Sequence, residues 1–419
     1  MTPEVKERIE QIRHGNVPEG YKKTAAGIMP ITWRQVRIGD VCAVNPLRPK
    51  KQEERVTFLG MADVSEEGHL INPSIVDYTK VSKGFTPFER GDILVAKITP
   101  CFENGKGADT NALPTQQGYG STEFHVLRCK DVDRRYMFLH TTSYEFRKKL
   151  ESEMTGSAGQ KRVQTESVAS YLLGLPSIDE QQGIAEILTV QDKVIELKEK
   201  LLAEKQRQKK YLMQQLLTGK KRLPGFDGEW KKVKLRKLLK ERKTYSPKGT
   251  EYPHVTLSTE GIYAKSERYD RDHLVKNDDK EYKITHRGDI CYNPANLKFG
   301  VICMNSFGDA IFSPIYVTFE VIGKVCPEFL AAYLMRWDFI NAVRKYEEGT
   351  VYERMAVKPE DFLKFEMMLP PYEEQVAIAK ILSTADKEIE LHRQDLEQEK
   401  QKKKALMQLL LTGIVRVNA

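Results

Sequence analysis

Residues 175–219, LPSIDEQQGIAEILTVQDKVIELKEKLLAEKQRQKKYLMQQLLTG, and residues 369–413, LPPYEEQVAIAKILSTADKEIELHRQDLEQEKQKKKALMQLLLTG, align without a gap at an offset of 194 and agree at about half their positions. Each copy predicts one long helix. Leu-Pro precedes an acidic first turn, Asp179-Glu180 or Glu373-Glu374, which complements the helix dipole, and Thr-Gly closes the other end. Leu188, Ile195, Leu202, Lys209 and Leu216 recur every seven residues, and the second copy repeats them as Leu382, Ile389, Leu396, Lys403 and Leu410. That is the stripe of a coiled coil. The companion stripe, Ile184, Gln191, Lys198, Lys205 and Leu212, is apolar only at its ends, so the seam is narrow and suits a two-helix pair. At 1.5 Å per residue each helix would be about 58 Å long, more than one small domain can cover. Two such helices in two similar halves predict antiparallel pairing about a pseudo-twofold axis.

Working outward, a weaker echo lies upstream of each copy. Trp33-x-x-Val36-x-Ile38 corresponds to Trp230-x-x-Val233-x-Leu235 at an offset of 197, and Arg90-Gly91-Asp92-Ile93 to Arg287-Gly288-Asp289-Ile290 at the same offset. After these anchors the halves diverge: LVAKITPCFENGKGADTNALP follows Ile93, and CYNPANLKFGVICMNSFGDA follows Ile290. A shared chassis carries two different surfaces. FHVLR, EYPHVTLS and IYVTFEV predict strands, whereas YMFLHTTSYEFRKKLESE and PEFLAAYLMRWDFINAVRKYEE predict amphipathic helices. The class is α+β. The expected order is a lead-in over 1–29, a globular domain over 30–174, a helical region over 175–219, a linker and second globular domain over 220–368, and a second helical region over 369–413.

The 419 residues, 40% hydrophobic and 30% charged, exclude a disulfide-stapled miniprotein, a wholly disordered chain and a membrane bundle. The charged N-terminus MTPEVKERIEQIRHG lacks a signal peptide's apolar core, so a cytoplasmic location is expected. Six scattered cysteines form no C-x-x-C pair and predict reduced thiols. Net charge is +8, but between Lys198 and Lys243 seventeen Lys or Arg face five Asp or Glu, a bias that suits a polyanion.

Catalytic motifs are incomplete. Asn293-Pro294-Ala295-Asn296 lacks the closing aromatic of an amino-methyltransferase motif, and Gly156 to Arg162 lacks P-loop spacing. Asp92 is followed by Lys97 without the second acid of a nuclease core, and its repetition as Asp289 predicts a turn residue. The eight histidines are too widely spaced to argue a metal site. What remains suits nucleic acid. The loop after Ile93 offers Lys97, Thr99, Asn104 and Lys106, and the loop after Ile290 offers Asn293, Asn296 and Lys298, side chains able to read base edges. Two polar turns just before the long helices, Gln160-Lys161-Arg162 and Tyr352 to Arg354, are placed to grip phosphates.

Two divergent domains, each followed by Leu-Pro-x-x-x-Glu-Gln-x-x-Ile-Ala-x-Ile-Leu and a heptad helix ending in Leu-Leu-Thr-Gly, resemble the specificity (S) subunit of type I restriction-modification systems along essentially the whole chain. The resemblance implies two target recognition domains, each reading half of a bipartite double-stranded DNA site, with the helices setting the spacer. It implies two methyltransferase (M) subunits and two translocase-nuclease (R) subunits as partners, no cofactor in this chain, and S-adenosylmethionine, ATP and Mg in those partners. The chain itself would catalyse nothing and would meet no membrane. Partner surfaces are expected on Glu180, Gln181 and Ile184 and on Glu374, Gln375 and Ile378 wherever these are not used in the helix pair. A coiled-coil scaffold without DNA specificity is the competing reading.

Overall fold

The computed structural model describes residues 2–47, 53–157, 159–247, 252–265, 281–346 and 356–417. It divides into two compact units, residues 1–198 with 395–419, and residues 199–394.

In the first unit, helix α1 (Pro3–Arg13) and a hairpin of Tyr21–Thr24 with Gly27–Pro30 precede an antiparallel sheet of β1 (Cys42–Val44), β2 (Ile93–Ala96), β3 (Gly107–Asp109) and β4 (Phe124–Cys129), in the order β1-β4-β2-β3. The second unit builds the same sheet from β5 (Leu239–Glu241), β6 (Ile290–Tyr292), β7 (Ile302–Met304) and β8 (Val317–Val321), in the order β5-β8-β6-β7. In each, the Trp-x-x-Val segment pairs with the strand that leads into Leu-Pro: Arg34 faces Leu175, and Lys231 faces Leu369. The flanking sheets differ. The first unit has four strands with a parallel pair, Thr57–Leu59 against Gly118–Gly120, and the described residues of the second have three antiparallel strands beside a separate hairpin.

The two amphipathic stretches are helical, as expected, and each folds as a helix hairpin. α2 (Arg134–Thr142) and α3 (Tyr144–Ser152) break at Ser143; α5 (Pro327–Leu334) and α6 (Trp337–Val343) break near Arg336. Ser143 and Arg336 are the N-caps of the second helices, with extended ψ of 151° and 135°. The apolar periodicity runs on across each break, which hid it.

The long helices are α4 (Ile178–Leu216, 39 residues) and α7 (Tyr372–Leu411, 40 residues). Gly219 and Gly413 follow them at φ +70° and +71°, the left-handed conformation that terminates a helix. Within the first unit Gln191 donates to Glu399 (2.7 Å), and Lys198 pairs with Asp395; within the second, Lys205 pairs with Glu388 (2.5 Å) and Lys209 with Asp386. Partner numbers fall as residue numbers rise, so the pairing is antiparallel. Leu188 and Leu410 share the first unit's core with Trp33, Ile93 and Tyr136, whereas Leu216 and Leu382 share the second's with Ile290, Phe319 and Phe329. Ile389 and Leu396 are buried and Ile195 and Leu202 half-buried along the middle of the stripe.

Candidate nucleic-acid interface

Each unit's chassis is fixed by the Glu-Gln pair at the start of its long helix. Glu180 accepts from the Trp33 indole (3.1 Å) and from Arg416 Nε (2.6 Å) and Nη2 (2.8 Å). Glu374 accepts likewise from Trp230 (3.1 Å) and from Arg222 Nε (2.6 Å) and Nη2 (2.7 Å). Burial raises the Glu180 carboxyl, but Arg416 and the indole outweigh it and hold the group below its usual range. The adjacent glutamines tie the helix hairpin to the Leu-Pro turn. Gln181 accepts from Asp133 N (2.8 Å) and donates to Pro176 O (2.9 Å); Gln375 accepts from Cys326 N (2.9 Å) and donates to Pro370 O (2.8 Å). All four side chains, with Ile184 and Ile378, are buried inside their own units. The expectation that these six residues form partner surfaces is therefore overturned: the motif repeats because it assembles each unit. Arg222 and Arg416 were missed, although Thr-Gly-x-x-Arg recurs over 218–222 and 412–416 at the same offset of 194.

The repeated aspartates are turn residues, and more. Asp92 accepts from Glu89 N (2.7 Å) and Asp289 from His286 N (2.8 Å), while each takes a bidentate arginine, Arg128 and Arg242 respectively. These buried, satisfied carboxylates fix the strand from which each variable loop departs.

The structure brings the first unit's two predicted segments together. Val163 N donates to Lys97 O (3.0 Å) and Thr99 N to Lys161 O (3.0 Å), so the loop after β2 and the turn before α4 form one surface. Asn104, Gln160 and Lys161 are exposed on it. Lys97 Nζ donates to Thr122 O (2.9 Å), and burial pushes its ammonium pKa down. Lys106 is occupied by Met61 O (2.9 Å), and Arg162 by Glu123 (2.9 Å), so both serve the loop's shape and are corrected from free contacts to supports. Arg147, which sequence reading overlooked, is the chief support. From the helix hairpin it donates to Phe102 O (3.1 Å) and Gly105 O (3.2 Å), and burial lowers its pKa to about 10.

In the second unit the same junction recurs as Val357 N to Pro294 O (3.3 Å). Asn293 is buried, and its Oδ1 accepts from Ala295 N (3.1 Å) and Asn296 N (3.2 Å). It is a turn former, a correction of its expected base-reading role. Asn296 is exposed and Lys298 half-exposed, its Nζ 5.2 Å from the Phe299 ring. Tyr352 and Arg354 lie outside the described residues. Among the described residues no cluster of His, Cys, Asp and Glu could hold a metal ion, and no helix is long and apolar enough to cross a membrane. All six cysteines are free thiols.

The outer face of α4 carries an apolar stripe in the first unit. Ile187, Val190 (58% exposed), Val194 and Leu197 (54% exposed) follow a three-four spacing. Their counterparts on α7 are Ile381, Thr384, Glu388 and Leu391, a more polar set.

Comparison with known proteins agrees with this architecture. A family model of the type I restriction modification DNA specificity domain matches residues 30–206 and again 228–400. The EcoAI type I restriction enzyme specificity subunit of Escherichia coli is 34% identical over 190 residues, 42% of this chain and 32% of that protein; the EcoEI subunit is 35% identical over 162 residues, 37% and 27%. The matched segment thus spans a third or less of those two relatives. The putative MjaX specificity subunit of Methanocaldococcus jannaschii is 24% identical over 436 positions, covering 95% of this chain and 97% of that one. Among solved structures, one concerned with complex assembly and conformational transition of the type I R-M system superposes with a TM-score of 0.60 at 17% identity, over 92% of this chain and 99% of that chain. The type I S subunit from M. genitalium gives 0.53 at 11% identity, over 90% and 96%. At these identities the likeness is one of fold.

Proposed function

The chain belongs to the family of type I restriction modification DNA specificity domains, and from that premise we propose that its two units read the two halves of an interrupted double-stranded DNA site. The observation that carries the reading is the recurrence of one junction, Lys97 with Val163 and Pro294 with Val357, beneath loops of unrelated sequence. An identical frame under different polar loops is what two independent half-site readers require. In the first unit Asn104, Gln160 and Lys161 would face the DNA, while Lys97, whose Nζ donates to Thr122 O, and Thr99, whose hydroxyl is buried, would shape the loop beneath them; in the second Asn296 and Lys298 would face it.

The chain would hold no cofactor and catalyse nothing. Methyltransferase subunits carrying S-adenosylmethionine would modify adenine at the site, and translocase-nuclease subunits using ATP and Mg would complete the assembly. The stripe of exposed Ile187, Val190 and Leu197 with half-buried Val194 suits a methyltransferase contact better than the buried Glu-Gln motif does. Changing Val190 and Leu197 together to Ser should reduce copurification of the methyltransferase; unchanged assembly would move the partner surface elsewhere.

The functional test is the methylated motif of variants co-expressed with the methyltransferase. Inserting about four residues between Leu202 and Lys209 adds close to one helical turn, or ~6 Å of helix, and should lengthen the spacer by one or two base pairs of ~3.4 Å each. Both half-site sequences should persist. An unchanged spacer in an active variant would mean that the helices do not set it.

A further inference from the structure

The hairpin breaks at Ser143 and Arg336 are equivalent positions, yet they treat the end of the adjacent long helix differently. In the second unit Arg336 lies over the Tyr333 ring at 4.6 Å and donates through Nη1 to Leu217 O (3.1 Å) and through Nε to Asp338 Oδ1 (3.0 Å). A buried guanidinium thus satisfies a carbonyl at the C-terminal end of α4, where the helix dipole favours positive charge.

In the first unit, matching the hairpins at an offset of 193 and the long helices at 194 replaces Arg336 by Ser143, Tyr333 by His140, Asp338 by Glu145 and Leu217 by Leu411. Ser143 is too short to reach that end. Its hydroxyl serves its own hairpin, donating to His140 O (2.8 Å) and accepting from Phe146 N (3.3 Å). The place of the guanidinium is a cavity of about 280 Å³, lined by His140, Ser143, Glu145 and Leu411 together with Trp33 and Met29. His140 is buried, and its Nε2 has no hydrogen-bond partner. Glu145 is exposed at the rim and makes no ion pair among the described residues.

We propose that this cavity is a socket for a guanidinium group supplied from outside the chain. The second unit fills the corresponding place with its own arginine, while the first retains the carboxylate, the helix end and an unfilled acceptor. A neutral imidazole protonated on Nδ1 offers Nε2 as that acceptor. The planar fork of a guanidinium, with several donors in one plane, can serve an acceptor nitrogen, a helix end and a carboxylate lining one cavity, which an ammonium or a single water does less well.

Agmatine, a guanidinium on a short alkyl stem, is the probe, added to the full chain while the His140 ring is followed by NMR. Saturable binding that shifts the ring resonances is expected, with n-butylamine at least about tenfold weaker. Glu145→Gln, at an exposed position, should weaken agmatine by a similar factor, and Ser143→Arg should abolish binding by filling the socket from within. No shift with agmatine, equal binding of n-butylamine, or full binding by folded S143R and E145Q would overturn the proposal. A crystal grown with agmatine in which only an ordered water meets His140 Nε2 would overturn it as well. Adding the methyltransferase subunit separates the sources, and this arm alone rests on the proposed function. Displacement of bound agmatine identifies an arginine side chain of that partner, and retention identifies a free guanidinium compound as the occupant.

Discussion

The two units close the same clamp along different routes through the chain. In the second, Arg222 and Trp230 stand close together in one linker and meet Glu374 at the start of α7. In the first, Trp33 comes from near the beginning of the sequence and Arg416 from the segment after α7, and they converge on Glu180 at the start of α4. Geometry agrees within a tenth of an ångström at equivalent contacts, although connectivity does not. The clamp is thus an assembly of side chains that tolerates rewiring of the backbone behind it.

The largest effect should come from breaking one clamp. Glu180→Ala leaves a buried indole N–H and a guanidinium without their acceptor, and should destabilise the first unit by about 2–3 kcal/mol. Urea unfolding followed separately in each unit should show the loss in the first alone, with Glu374→Ala giving the mirror result. Removing residues from Ile414 onward should act like Glu180→Ala, because it also takes away the Ile414 carbonyl that accepts from Arg8 (2.6 Å). Equal loss in both units would mean that they are one cooperative body.

Acid should separate the units next. His125 and His140 are buried in the first unit, and burial lowers both to about 4 from an ordinary 6.5. The unfolded chain then binds more protons between those values, so stability falls as pH drops from about 6.5 toward 4, by about 2 kcal/mol for each histidine at pH 5. His140→Phe should flatten part of that slope. A pH profile equal in both units would contradict the assignment.

Recognition should divide along the same line. Lys161→Ala at a true contact should relax the first half-site and Asn296→Ala the second, base contacts being worth ~1–3 kcal/mol each. Arg147→Leu should disturb only the first half-site, through the loop it holds. Relaxation of both halves by one substitution would break the division. The smallest effect is expected from Lys205→Ala, whose partner Glu388 is solvent-exposed, and the loss should vanish in high salt.

What the sequence made legible was whatever appears twice. Trp33 and Trp230, the Arg-Gly-Asp turns and the leucine stripe announce themselves by recurrence at fixed offsets, and α+β halves with paired helices follow from them. At Glu180, Gln181 and their copies the same recurrence marks internal assembly, not a partner surface. Arg147 gave no signal, because its work is to hold carbonyls more than forty residues away in a loop that the second unit lacks; Ile340 stands at its counterpart. Ser143 and Arg336 were hidden for a different reason. A cap changes the backbone's direction without interrupting the apolar periodicity around it.

The convergence on Glu180 also has a consequence in time. A chain made from its N-terminus on the ribosome presents Trp33 and Glu180 early, but Arg416, which with Leu410 completes that core and clamp, only 236 residues after Glu180. The second unit draws on residues 199–394 alone. It can therefore finish folding while the first still waits with an open apolar face, so the half of the molecule that is synthesised first is the half that matures last.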